Sequence, residues 1–183
     1  MKHLLLLVTC ATLVTYSAYA QKVYIGCPEQ VNAKPNAGFL TQQPVDLVIF
    51  DSRTVPPGAK IECQGTELRQ ALKNFLQAEF PSCKMTLLPD TLNPPKPGRI
   101  TIKIGITVYQ ASLSKSEWTG SVDYHASIID NRKKRSGKIS EEINNDTTRP
   151  GILGYGPAKK SLFTSLDKSN QDLASFIEKT LKD

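Results

Sequence analysis

The sequence predicts an α+β fold: a two-layer sandwich in which two amphipathic helices cover one face of a mixed, largely antiparallel sheet. Two segments, 68–80 and 157–181, repeat apolar residues at the helical spacing of three and four. A third segment, 100–109, alternates apolar and polar side chains, which is the period of a strand with one face in water. Such sheets are normally antiparallel, and two helices on a single apolar face make a two-layer domain.

The first twenty residues have the features of an export signal. A basic start is followed by the apolar run Leu4–Val14 and by the small-residue pattern Ala18-Tyr19-Ala20. The run is shorter than the ~20 residues that span a bilayer. We therefore predict a signal peptide at 1–20 and export to the periplasm or the cell exterior. Lipidation of Cys10 is the alternative, although the apolar run continues past this cysteine.

The mature chain begins with a segment, 21–44, that is rich in Gln, Asn, Pro and Gly and shows no sustained period. This composition predicts an arm or tether that leads into a single domain at 45–183. Val45–Phe50 is a short apolar run typical of a buried strand, and the Pro- and Gly-bearing segment 51–65 predicts a loop.

The first helix is predicted over 68–80, because its apolar residues share one face and Pro81 ends the pattern. Cys83–Leu88 follows as a second short strand. The alternation of 100–109 is repeated in 122–129, which predicts a second strand of the same kind.

The third strand of a meander is predicted at 137–144, after a polar hairpin tip at 130–137. A Gly/Pro loop at 146–157 precedes the last helix, which Pro157 suits as a first-turn residue. The middle of that helix, 167–172, is wholly polar and allows a bend.

The water-facing side of the predicted sheet should carry Lys103, Tyr109, Asp123 and His125. These side chains alternate with the apolar ones that face the helices. We expect them to form part of any contact surface.

Three cysteines remain after export, and a pair of them should bridge in an oxidising compartment. The first helix, ~20 Å long, separates Cys63 from Cys83, whereas a bridge needs Cα atoms within about 7 Å. Cys27, on the arm, can pair with either, and we favour Cys83 because the arm leads into the strand at that end of the sheet.

No motif for catalysis or for a cofactor is present. His125 is the one histidine of the mature chain, without cysteines or carboxylates at metal-ligand spacing, so we predict no metal site and no cofactor. A nucleophilic pair of a free cysteine with His125 is the less favoured interpretation. The adjacent Glu141 and Glu142 should point to opposite faces of a strand and cannot form an acid/base pair.

Two features point to a partner. Arg132, Lys133, Lys134 and Arg135 place four cations at the hairpin tip, which suits anionic glycans or lipid head groups. The alternative is a solvated tip that keeps a sheet edge soluble. Tyr155, in the loop before the last helix, is a further candidate contact, although its loop is favoured to tuck against the domain.

The order of the elements resembles that of a known family. The strand ending in Phe50-Asp51-Ser52-Arg53, the first helix, the two alternating strands and the Gly-bearing loop before the last helix together resemble the YajG-type small envelope lipoproteins. More distantly, the chain is similar to the lipopolysaccharide-assembly lipoproteins. The resemblance covers residues 45–181 and implies a non-catalytic role in the periplasm or at the outer membrane. The chain departs from the family in its extra cysteines and in lacking a clear lipidation motif.

We therefore predict a secreted or periplasmic, non-catalytic cell-envelope protein that binds a macromolecular partner: an envelope protein, or an anionic glycan or lipid head group. No nucleic acid is predicted as a partner, and the oligomeric state stays open. One alternative is a secreted enzyme, a hydrolase whose carboxylates no motif identifies. The other is an extracellular binding module or inhibitor. A glycan on the sequon Asn145-Asp146-Thr147 would favour this alternative.

Overall fold

The computed structural model describes residues 22–29, 32–89, 95–132 and 137–182, which form the predicted α+β sandwich, a curled mixed sheet with two helices on one face. The predicted signal peptide at 1–20 lies outside the described residues. In chain order the elements are β1 (Val23–Ile25), β2 (Pro44–Asp51), β3 (Lys60–Ile61), α1 (Gly65–Glu79), β4 (Lys84–Leu88), β5 (Ile100–Ser114), β6 (Glu117–Asp130), β7 (Lys138–Pro150) and α2 (Gly156–Lys182).

The long strand β5 organises the sheet. β6 pairs with it antiparallel from end to end and β7 pairs antiparallel with β6, so the predicted meander is confirmed. On its other edge, β5 pairs parallel with β2 over its first half and antiparallel with β1 over its second half. β4 extends the β2 side and β3 extends the β1 side. β1 and β2 therefore share one edge of the central strand β5.

A β-bulge in β5 changes which side chains face the helices. The pairing of β5 with β6 shifts register between Ile106 and Val108. A bulge adds one residue to a strand and so inverts the alternation beyond it. Tyr109 is therefore only 2% exposed and belongs to the core, whereas the alternation predicted it on the water-facing side. Thr107, at the bulge, is exposed.

The segment 21–44 is part of the domain where the structure describes it, and the predicted tether was wrong there. Val23–Ile25 forms the buried strand β1, and the Phe39 ring packs on Phe80 with centroids 5.0 Å apart. A three-residue strand is too short to show a period, and its partner strands lie far away in the sequence. Composition alone therefore could not reveal it.

Two predicted loops also contain strand residues. β3 lies inside the predicted loop 51–65, and β7 continues to Pro150 inside the predicted loop 146–157. β7 has a single fully buried side chain, Ile143. A strand that is exposed on nearly all sides carries no apolar alternation, so its true length was not visible in the sequence.

The disulfide joins Cys27 to Cys63, and Cys83 is a buried free thiol. β1 and β3 run parallel with Tyr24 opposite Lys60, and the same register brings Cys27 opposite Cys63, with Cα atoms 4.6 Å apart. The preference for a Cys27–Cys83 bridge was wrong, because it placed the arm at the far end of the first helix. Cys63 and Cys83 are not bridged, as the helix between them predicted.

α1 confirms the first predicted helix. Its N-terminus is closed by a capping box, in which the Gln64 backbone N–H donates to Glu67 Oε2 at 2.7 Å. Leu68, Leu72 and Phe75 are buried on the face that meets the sheet. This face becomes one wall of the candidate site.

α2 contacts β6 through small and polar side chains. Ser165 Oγ donates to the Gly120 carbonyl and Ser169 Oγ donates to the Val122 carbonyl, each at 2.7 Å. The polar middle of the helix, 167–172, therefore does not bend away, because Ser169 faces the sheet. α2 is one continuous helix.

Candidate binding pocket between the two helices

A cavity of about 180 Å³ lies between α1 and α2, above the sheet. Leu68, Leu72 and Phe75 of α1 form one wall, Leu166 of α2 lies opposite, and Ile106 of β5 lies in the floor. Apolar cavities of about 150 Å³ bind a benzene ring. The cavity therefore has room for one ring-sized group.

Two buried tyrosines complete the floor. Tyr109 O–H donates to the Gly26 carbonyl at 2.8 Å, and Tyr124 O–H donates to Asn170 Oδ1 at 3.0 Å. Burial raises the pKa of both phenols above the usual range, so both stay neutral and act as donors. The rings thus present apolar surface to the cavity while their hydroxyls are already bonded.

Asn170 of α2 is the buried amide residue of the cavity wall, whereas Asn74 and Glu29, which also line the cavity, are exposed. Asn170 is 8% exposed, and its Oδ1 accepts the bond from Tyr124. Within the described ranges, its Nδ2 makes no hydrogen bond, although most buried side-chain polar atoms do. Nδ2 keeps some accessible surface, so the cavity combines a largely apolar lining with an amide donor that is open to an occupant.

The segment after β1 forms the rim of the cavity. Pro28 and Glu29 line its edge. Glu29 forms an ion pair with Lys159 of α2, and Asn32 Nδ2 donates to Asp167 Oδ2 of α2 at 2.8 Å. Side-chain bonds therefore hold Glu29 and Asn32 against the helical layer. A second cavity of about 220 Å³ shares Pro28 and Glu29, so the recess continues on the other side of the rim.

The predicted contact residue Tyr155 is packed against the domain. Its ring stacks on Tyr24 with centroids 5.3 Å apart, and it contacts the Trp118 ring at 5.7 Å. Lys60 Nζ lies 4.5 Å from the Tyr155 centroid, a cation–π contact. The neighbouring Leu153 is 86% exposed. Tyr155 therefore packs inward, which is the arrangement that the sequence favoured for this loop. Its role in binding a partner stays a prediction.

The basic hairpin tip is described at one of its four cations. Arg132 donates through Nε and Nη2 to the two oxygens of Asp130, at 2.8 and 2.7 Å. This hydrogen-bonded pair raises the pKa of Arg132. Lys133, Lys134 and Arg135 lie outside the described residues. The structure thus shows Arg132 already paired, and the tip as a binding site stays a prediction.

The water-facing side of the sheet carries polar groups apart from the cavity. His125 Nδ1 bonds Glu142 across β6 and β7, with both side chains partly exposed. Burial, followed by the charges of Asp146 and Glu142, raises the pKa of Asp123. Lys103 is half-buried on this side, so three of the four predicted residues lie here, and Tyr109 is the exception.

The described residues contain neither a nucleophilic Cys–His pair nor an open metal site. Cys83 bonds the Gln43 carbonyl through its thiol, and burial raises the pKa of that thiol to about 11, which disfavours the reactive thiolate. The one compact group of potential ligands in the described part of the chain is Cys27, Cys63 and Glu67. Its two sulfurs are joined in the disulfide.

Sequence reasoning did not single out the cavity. The apolar residues of its walls were predicted to belong to the hydrophobic core, and they do belong to it. The available signal was Asn170, which lies four residues after Leu166 and three before Leu173, so it falls on the apolar face of the last helix. A polar residue in that register indicates a buried polar contact.

No family model matches the chain, and no curated protein matches it. Its fold is similar to that of the hypothetical protein CT253 from Chlamydia trachomatis, with a TM-score of 0.50 and 10% identity over 75% of this chain and 96% of that one. The lipoprotein GNA1162 from Neisseria meningitidis matches with a TM-score of 0.35 and 13% identity, over 72% of this chain and 98% of that one. The first likeness shows a shared α+β fold and leaves function to be argued from the pocket.

No helix among the described residues has both the length and the hydropathy of a membrane span.

Proposed function

We propose that this chain is an exported, non-catalytic cell-envelope protein that binds a macromolecular partner, with the pocket between α1 and α2 as its main contact site. The observation that carries the proposal is the make-up of the cavity, a largely apolar space of about 180 Å³ to which the Nδ2 donor of Asn170 is open. Small-molecule sites usually measure ~300 Å³ or more. Interface hot spots, in contrast, are single side chains held in pockets. The size of the cavity fits one side chain of a larger partner.

The disulfide supports export of the chain. Bridges such as Cys27–Cys63 persist in oxidising compartments and are rare in the cytosol. The proposal keeps the signal peptide at 1–20 and the periplasm or cell exterior as the location. It extends the single domain of 45–183 at its N-terminal side to include β1 and the segment that follows it.

The chemistry of the cavity supports binding rather than hydrolysis. A hydrolase needs a positioned nucleophile or a pair of acid and base groups at one site. The one carboxylate at this cavity is Glu29, and it is paired with Lys159 within the described structure. His125 and Glu142 lie on the opposite side of the sheet.

Partner capture tests the proposal. The chain without its signal peptide is immobilised and exposed to the envelope fraction of its own source cell. Ala71 lines the cavity from α1, so Ala71→Phe should fill it and abolish capture of the specific partner. Ala78, exposed on the same helix, offers the matched control Ala78→Phe, which should capture as well as the unchanged chain. Capture that Ala71→Phe leaves intact would contradict the pocket as the contact site.

The basic tip is tested separately. Replacing Arg132, Lys133, Lys134 and Arg135 by Ser should weaken binding to anionic liposomes or envelope glycans if the tip is a second contact. Unchanged binding would remove the tip from the proposal and leave the pocket in place.

A further inference from the structure

The Asn170 amide sets the hydrogen-bonding character of the cavity. Its Nδ2 makes no hydrogen bond within the described ranges and keeps some accessible surface toward the cavity, although the residue as a whole is only 8% exposed. An apolar occupant would cover this donor without offering it an acceptor, which costs the free energy of its desolvation. An occupant that brings an acceptor oxygen to Nδ2 would recover that free energy.

The same amide also offers an acceptor. Asn170 Oδ1 accepts one bond, from Tyr124, and a carbonyl oxygen has two lone pairs. Asn170 therefore presents one donor and one acceptor lone pair side by side. A hydroxyl group matches this pair because it both accepts and donates, whereas an ether or ketone oxygen can only accept.

The lining of the cavity favours an aromatic body on that hydroxyl. The rings of Phe75, Tyr109 and Tyr124 face the space together with Leu68 and Leu72. Aromatic rings pack favourably on one another in offset or edge-to-face arrangements. With a volume of about 180 Å³, the cavity exceeds the ~150 Å³ that holds benzene by enough for a ring substituent.

The lining of the cavity selects against an anionic ring. The described residues that line the cavity include no Lys or Arg that could pair with a carboxylate or phosphate, and Glu29 at the edge is already paired with Lys159. Burial of an unpaired charge among apolar walls is unfavourable. A neutral phenol avoids this cost.

We propose that the pocket binds the phenol ring of a tyrosine side chain of the partner protein, with the hydroxyl held by Asn170. This inference rests on the proposed function, and it names the group that the partner inserts. Tyrosine is one of the residues enriched at interface hot spots, where it fills a pocket near the centre of the contact.

Titration of the chain with p-cresol, the tyrosine side chain in free form, tests the inference against toluene, which lacks the hydroxyl. p-Cresol should bind about 2- to 10-fold more tightly, the factor of one net hydrogen bond. In NMR spectra, the side-chain amide signals of Asn170 should shift with p-cresol. Equal affinity for the two compounds, or no binding of p-cresol, would overturn the inference.

Two variants locate the binding. Asn170→Leu should remove the preference for p-cresol over toluene. Because this change also removes the acceptor of Tyr124, Ala71→Phe serves as a second variant that leaves that bond intact and should abolish binding of both compounds. Ala78→Phe should bind both like the unchanged chain. Retained p-cresol binding in Ala71→Phe would place the phenol elsewhere and overturn the inference.

Competition in the partner capture separates this inference from the proposed function. p-Cresol should displace the partner that Ala71→Phe fails to capture. A partner that is sensitive to Ala71→Phe but not displaced by p-cresol would overturn the tyrosine and leave the proposed function standing. Binding of p-cresol without any capture that depends on Ala71 would instead identify a free phenol as the ligand and overturn both the partner's tyrosine and the macromolecular function.

Discussion

Gly120 of β6 lies directly beneath the backbone of α2, and Gly120→Ala should destabilise the fold strongly. A Cβ atom at this position would lie 2.3 Å from Leu162 N and 2.4 Å from Ser161 C. Non-bonded heavy atoms normally approach to about 3.5 Å. Because backbone atoms cannot rotate away, α2 would have to move outward by about 1 Å, and the bond from Ser165 to the Gly120 carbonyl would stretch.

Forced repacking of this kind costs about 1–3 kcal/mol and occasionally more, and a lost hydrogen bond adds about 1 kcal/mol. We expect a loss of about 2–4 kcal/mol in the free energy of unfolding. Urea denaturation can follow the fluorescence of Trp118, which is the single tryptophan and is buried. At a slope of about 2 kcal/mol per molar, the midpoint should fall by about 1–2 M.

Gly156→Ala is the matched control for this change. Gly156 begins α2, and a Cβ there would have no neighbour within 4 Å. This variant should unfold at the midpoint of the unchanged chain or slightly above it. If Gly120→Ala shared the midpoint of Gly156→Ala, α2 would not rest on β6 at this glycine, and the packing argument would be refuted.

Three further predictions concern the cysteines and acid stability. Peptide mapping without reductant should recover Cys27 joined to Cys63, and reduction should lower the free energy of unfolding by up to about 4 kcal/mol, the chain-entropy value for a sequence separation of 36. At about pH 8, the Cys83 thiol should react with Ellman's reagent only when the protein unfolds, because the thiol is buried and its pKa is raised to about 11. Asp51→Asn should make the free energy of unfolding less dependent on pH at acid pH. The hydrogen bond from Arg53 lowers the pKa of Asp51 in the folded state. The stabilisation by this pair is therefore present above the unfolded-state pKa of about 4 and is lost as the pH falls through the folded-state pKa.

The controls for these predictions are internal to the chain. A mapped peptide that joins Cys27 to Cys83 would contradict the register of β1 and β3, and rapid labelling of the native protein would contradict the burial of Cys83. Glu141→Gln changes an exposed carboxylate and should keep the acid limb of the unchanged chain. An acid limb of Asp51→Asn identical to that of Glu141→Gln would argue against the Asp51–Arg53 pair.

Local periodicity predicted most of the elements, and it was misleading where a contact interrupts the period. The stripes of α1 and α2 and the alternation of β5 and β6 were visible because each element buries one face along its own length. The same alternation put Tyr109 on the wrong side, because the bulge before Val108 is set by pairing with β6. β1 escaped notice since its three residues depend on β5 and β3 for every strand bond.

The candidate pocket shows the same division. Leu68, Leu72 and Phe75 were predicted on the inner face of a helix, but a space between two helices depends on how far apart they lie on the sheet. The position of α2 follows from its close contact with Gly120 and from the serines that bond β6, which no pattern within one segment reveals. The polar register of Asn170 was the one local sign of the pocket.

By itself, the sequence determined the fold class, the order of most elements and the prediction of export, because these depend on patterns within short stretches of chain. The tertiary structure alone decided the partner of Cys27, the inward position of Tyr109 and the pocket beside Asn170. Each of these depends on which strands pair and in what register. The pairing of distant segments depends on the joint burial of side chains from all of them. Its free energy therefore cannot be inferred from the pattern of any one segment.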